Sequence, residues 1–138
     1  IRSAIVETAK TLLGIPYVYG SEWTDYSKIP VGIDCSELTE GCYNKNGIKL
    51  RDGAQAQFDQ TAPTGDPKPG DLAFFGKGGK ISEIYHVGMV YSEIFMIEAR
   101  GFDPKASFPT GKVILRPRER WESYKPNFLG YRAHAKLV

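Results

Sequence analysis

Two cysteines in 138 residues, no run of 18 consecutive apolar side chains, no internal repeat and no low-complexity tract set the first limits on this chain. So few cysteines exclude a disulfide-built scaffold. None is needed, because a chain of this length is one ordinary domain that buries roughly two thirds of its unfolded surface without staples. Without a long apolar run there is no membrane-spanning helix. The first twenty residues, IRSAIVETAKTLLGIPYVYG, alternate apolar with charged groups where an export signal would hold a continuous apolar stretch. The chain opens on Ile1 and reads as a mature or excised piece, which leaves room for an upstream targeting segment or further domains.

A strong excess of one charge is also missing, since 18 Lys and Arg face 16 Asp and Glu for a net +2. The distribution is uneven. Residues 1–99 hold 9 basic and 13 acidic side chains, net −4, and residues 100–138 hold 9 and 3, net +6. A basic end can meet an anionic polymer. Here the Lys and Arg are spread through RPRERW (116–121) and single strand positions with no recognition signature for nucleic acid. A solvated basic face is the simpler reading, and a nucleic-acid partner is disfavoured.

What is present changes periodicity near residue 63. Ile5, Ala9, Leu12 and Leu13 share one helical face, with Ser3 as N-cap, Gly14 just past the end and Pro16 as a stop. A loop rich in Gly, Pro and polar residues follows. A second helix then begins at or near Cys35, with Cys35, Leu38 and Cys42 on one face and Asn46-Gly47 ending it. A short third helix covers 54–60. The second half reads as strands over 71–75, 86–91, 95–100, 112–116 and 130–137. Together these features predict an α+β domain over 1–138, with a helical lobe (about 1–62) packed on one face of a mostly antiparallel sheet of five to six strands (about 63–138). A cleft between the two is the place for a site.

Cys35 and Cys42 lie seven residues apart on one helix, about 10.5 Å at 1.5 Å per residue, too far for a disulfide, which needs Cα atoms within about 7 Å. Cys42, two turns in, suits core packing. Cys35 starts the helix, where the macrodipole and free N–H groups favour thiolate. A base must then lie near it in space. Of the two histidines, His134 falls on the polar face of GYRAHAKLV and reads as solvent-facing, whereas His86 opens the strand HVGMVY, where a side chain can project into a cleft. Glu98 interrupts the apolar FMIEA, and a turn at Ser92-Glu93 would bring it back beside His86 to orient the imidazole. Its other reading is an edge-strand charge facing water.

In order, GIPYVYG (14–20), DCS (34–36), PGDLAFF (69–75), HVG (86–88) and MIEA (96–99) span nearly the whole chain. DCS alone is a weak signal, but the five in order with suitable gaps resemble the NlpC family of papain-like cell-wall cysteine peptidases. The resemblance implies a papain-like fold, a nucleophile at Cys35, general base and acid at His86, and an orienting residue twelve positions on, at Glu98. It further implies that the Tyr17 hydroxyl helps hold the oxyanion and that Asp34 and Ser36 contact the substrate. Their alternative roles are a core aromatic for Tyr17 and helix capping for the other two. The implied partner is the stem peptide of bacterial peptidoglycan, cut most often between γ-D-glutamyl and a diamino acid, with no cofactor and no metal, at an extracellular, cell-wall or virion-associated location, with further wall-binding or lytic domains in the full-length protein. A related amidase cutting another wall amide, or a wall-binding module without catalysis, would share the fold.

Three positions depart from the family pattern. Glu98 stands where most relatives have His, Glu37 stands where Gly usually follows DCS, and the loop over 21–32 is longer than in compact relatives. A carboxylate at 98 favours imidazolium and hence a thiolate–imidazolium pair.

Overall fold

Strand alternation sorts the second half of the chain onto the two faces of one antiparallel sheet. The computed structural model describes residues 1–101 and 111–138. Helices Arg2–Lys10 (α1), Cys35–Lys45 (α2) and Ala54–Gln60 (α3) come first. Strands Ala62–Pro63 (β1), Leu72–Gly76 (β2), Ile84–Val90 (β3), Phe95–Ala99 (β4) and Val113–Pro117 (β5), a short helix Arg118–Glu122 (α4) and strand Phe128–Ala133 (β6) follow. The spatial order is β1-β6-β2-β3-β4-β5. Leu72, Phe74, Val87, Met89, Ile97 and Ala99 join Ile5, Leu12, Leu38 and Cys42 in the main core under α1–α3. Ala73, Phe75, Val90 and Met96, one residue out of phase, form a second core with Trp121, Phe128 and Tyr131. The sheet is therefore covered on both faces.

The expected elements are present, with strands β2 to β5 within one or two residues of their predicted bounds. Helix α2 starts at Cys35 because the Asp34 carboxylate caps it, accepting from the Glu37 N–H at 2.9 Å. Cys42 is wholly buried, and neither cysteine is in a disulfide. Among the described residues no helix is long and apolar enough to cross a membrane.

Several expectations are corrected. Ser3 is not the N-cap of α1: Ile1 holds that position with no side-chain cap, and Arg2 ties the helix start to Asp71 Oδ1 at 2.9 Å and to the carbonyls of Pro69 and Leu137. The regular helix ends at Lys10, so Leu12 is buried but Leu13 is 39% exposed. The last strand stops at Ala133, and His134 is not solvent-facing; it is 7% exposed, with Nδ1 accepting from the Lys136 N–H as the chain turns and Nε2 3.3 Å from Gln60 Nε2. Strand β4 lies between β3 and β5, so Glu98 is no edge-strand charge. The RPRERW segment is not wholly a solvated face either, since α4 seats Trp121 in the second core.

One close approach is testable by stability. A Cβ on Gly41 of α2 would lie 2.1 Å from Trp23 Cε3. Gly41→Ala is expected to lower stability by about 1–3 kcal/mol through overpacking, against a helix-propensity gain of at most about 1 kcal/mol. An unchanged denaturant midpoint would contradict this contact.

Candidate active site

Cys35 is the first residue of α2 and is 9% exposed. The chain over 14–20 runs beside it, pinned by Val18 N–H to the Ile33 carbonyl at 3.1 Å and Ile33 N–H to the Pro16 carbonyl at 3.0 Å. This pairing sets Tyr17 next to the helix start. Burial pushes the Tyr17 phenol up to about 12, and the charges of Cys35 and Asp34 add to it. A neutral O–H donor therefore stands beside the sulfur at any pH near 7. Asp34 is fully engaged in structure, with Oδ1 taking the Glu37 N–H and, at 3.3 Å, the Ser36 hydroxyl, and Oδ2 taking the Gly20 N–H at 3.1 Å. Asp34 is the helix cap, and Ser36 supports it by donating its hydroxyl to the same carboxylate.

His86 and Glu98 meet across two strands. Met89 pairs with Ile97 and Val90 with Met96; continuing that register puts Gly88 opposite Glu98 and makes His86, two residues earlier on the same face, its diagonal neighbour. His86 Nε2 lies 3.6 Å from Glu98 Oε1, an ion-pair distance too long for a hydrogen bond. Glu98 is 0% exposed, and neither of its carboxylate oxygens has a hydrogen-bond partner among the described residues. Gly88 leaves it room, because a Cβ there would sit 3.1 Å from Met96 Cε and 3.6 Å from Glu98 Cβ. Burial works against a charged imidazole, but Cys35 and Glu98 on either side outweigh it and hold His86 up at about 9. His86 thus stands between the electrostatic influence of Cys35 and a buried carboxylate 3.6 Å away.

The NlpC/P60 family model matches residues 14–112. This chain belongs to the NlpC/P60 family. It is 34% identical over 87 residues to a γ-D-glutamyl-L-lysine dipeptidyl-peptidase of Bacillus subtilis, covering 62% of this chain and 27% of that one. It is 29% identical over 122 residues to the peptidoglycan endopeptidase RipB of Mycobacterium tuberculosis, covering 82% and 46%. An NlpC/P60 family protein of Bacillus cereus superposes with a TM-score of 0.78 at 23% identity over 97% of this chain and 40% of that one. The NlpC/P60 domain of the peptidoglycan hydrolase SagA superposes with a TM-score of 0.67 at 25% identity over 96% and 98%. The fold is that of the family, and the chain spans less than half the length of these curated relatives.

Glu37 and the loop over 21–32 form one unit. Glu37, buried under the loop over 21–32, accepts the Trp23 backbone N–H at 2.8 Å, while the Trp23 indole donates to the Asp25 and Lys28 carbonyls and covers Gly41. A carboxylate after Cys35-Ser36 thus anchors this loop, which borders a groove of about 330 Å³ lined by Val18, Ser21, Trp23, Lys28, Ile29 and Val31. Burial pushes the Glu37 carboxyl up to about 8; the Trp23 N–H opposes this and Glu40 and Asp34 add to it. Carboxylate oxygens of Glu37, Glu40 and Asp52 lie within 4.8 Å of one another, and burial pushes the Glu40 carboxyl up as well. One residue at the site escaped the sequence reading. The Trp121 indole lies on the His86 ring at 5.4 Å between centroids and 22° between planes, and its only sequence signal was an aromatic closing a basic run.

Proposed function

We propose that this NlpC/P60 chain is a peptidoglycan hydrolase, a cysteine endopeptidase that cuts stem-peptide amide bonds, at the γ-D-glutamyl–diamino acid linkage, through Cys35, His86 and Glu98. The observation that carries the reading is the fully buried Glu98 carboxylate aimed at His86, whose imidazole also meets Cys35 at a helix start. A carboxylate without hydrogen bonds is costly to bury, and its positively charged neighbour offsets that cost only when the imidazole is protonated. The relatives named for γ-D-glutamyl-L-lysine and for peptidoglycan support the substrate class.

In the proposed reaction the Cys35 sulfur bonds to the scissile carbonyl carbon, the oxyanion takes the Cys35 backbone N–H and the Tyr17 hydroxyl, and the C–N bond breaks as His86 gives its proton to the leaving amine. Neutral His86 then takes a proton from water, whose oxygen attacks the thioester, and the C–S bond breaks to free the acid and restore the pair. Because the donor proton sits on a group held at about 9, kcat/KM is expected to hold through neutral pH and fall as pH rises through about 9. A profile already falling at pH 7 would remove His86 as that acid. On this reading the chain acts outside the cytoplasm, on the wall or from a virion, alongside further domains of a longer protein. Digestion of purified muropeptides with mass spectrometry of the fragments tests the reading. Products split after γ-D-glutamyl are expected, and no product from any wall type would overturn it.

A further inference from the structure

The basic run over 116–121 hides its aromatic end. Helix α4 packs on the sheet face opposite α1–α3, where Trp121 meets Phe75 at 4.4 Å between ring centroids and lies nearly parallel on His86. Arg116, near the end of β5, holds its guanidinium 5.4 Å from the centre of the same indole. The indole Nε1 is buried with no hydrogen-bond partner among the described residues. No polar contact explains the placement of this ring, so its face is what it contributes.

We propose that Trp121 is a positioning residue for the NlpC/P60 reaction: stacked on His86, it fixes the ring plane that turns Nε2 toward Glu98 and keeps water from the ion pair. The inference rests on His86 as the general acid and base. A histidine χ2 is a broad torsion, and a contact of 3.6 Å is too long to set the ring plane by hydrogen bonding. Phe75 touches the imidazole at a 46° tilt and does not clamp it flat. The stack does. Excluding water lowers the local dielectric and strengthens the attraction between Glu98 and the imidazolium. The indole face also favours a cation lying on it. The charged groups around His86 are Cys35 from α2 and Glu98 from β4, with Arg116 from β5 across the indole and Arg100 and Arg120 beside Arg116. Removing the indole relieves part of the burial that opposes the charge but also admits water between Glu98 and the imidazolium. Because Cys35 and Glu98 outweigh burial in the parent, the net effect should be weaker proton binding at His86, not merely a looser α4.

Trp121→Leu and Trp121→Phe test this. In the Leu variant, kcat is expected to fall about tenfold with KM unchanged, the high-pH limb to move to lower pH, and Phe to restore most of both. Proton NMR of the His86 ring, assigned with a His134→Gln variant, is expected to show proton affinity about tenfold lower in Trp121→Leu than in the parent. Should the Leu variant not fold, the Phe variant with a smaller shift in the same direction decides. A His86 titration and pH profile unmoved in the folded variants would overturn the proposal, as would activity lost only in proportion to folded protein. The NMR titration reads the positioning role even if the parent cleaves no muropeptide, so failure of the function and failure of this inference are separable.

Discussion

Replacing Cys35 by Ala is expected to lower muropeptide cleavage by at least about 10⁴-fold while leaving the melting transition close to that of the parent. On the proposed mechanism the loss is large because the sulfur forms the covalent intermediate; with it gone, His86 and Glu98 have no partner to act through. The fold should persist because Cys35 contributes only a small side chain, at a helix start whose cap is Asp34. Cys42 cannot take over. It lies two turns further along α2 at 0% exposure, and burial pushes its thiol far up, so it is neither reachable nor readily ionised. The same contrast predicts that iodoacetamide near neutral pH alkylates Cys35 at least about a hundredfold faster than Cys42. Cleavage by Cys35→Ala above about one percent of the parent rate would remove Cys35 as nucleophile.

Much of this site was legible because its parts are fixed by local rules. Asp34 preceding Cys35 marks a helix start, and the structure begins α2 at that residue. Parity in HVGMVY and FMIEA, joined by a short turn, puts His86 and Glu98 on one face of adjacent antiparallel strands. The ion pair follows from that register without any long-range information.

The errors arise where local rules end. Alternation in GYRAHAKLV carries the strand pattern past Ala133, but the chain turns there because His134 caps a short 3₁₀ turn and meets Gln60 of α3. Parity also says which face a side chain occupies, not what covers that face. Met96, Glu98 and His86 share the face that α4 covers, and the five-residue α4 that seats Trp121 over His86 is too short and too charged to show helical periodicity. Glu37 taught the same lesson in reverse. In the sequence Glu37 and the loop over 21–32 stand as two separate features; in the fold the carboxylate anchors the loop.

Glu98→Ala is expected to lower kcat/KM about a hundredfold, and Glu98→Gln to stay within about tenfold of the parent at neutral pH. Alanine removes the acceptor and opens a void that Gly88, having no side chain, does not fill, so the imidazole loses both its partner and its boundary. Glutamine keeps an oxygen near Nε2 and the volume, but not the charge. Burial, the largest influence on His86, then faces less opposition, and the high-pH limb should move down from about 9. Stability should respond in step. A histidine held above its ordinary 6.5 in the folded state stabilises the fold fully below that value and loses the contribution as pH rises through about 9. The parent should thus lose stability across that interval, and Glu98→Gln should lose less of it. The two readouts separate catalysis from folding: equal kcat/KM for Glu98→Ala and parent would remove Glu98 from the proton path, whereas an unmoved pH limb in Glu98→Gln would mean that Cys35 alone holds the His86 proton.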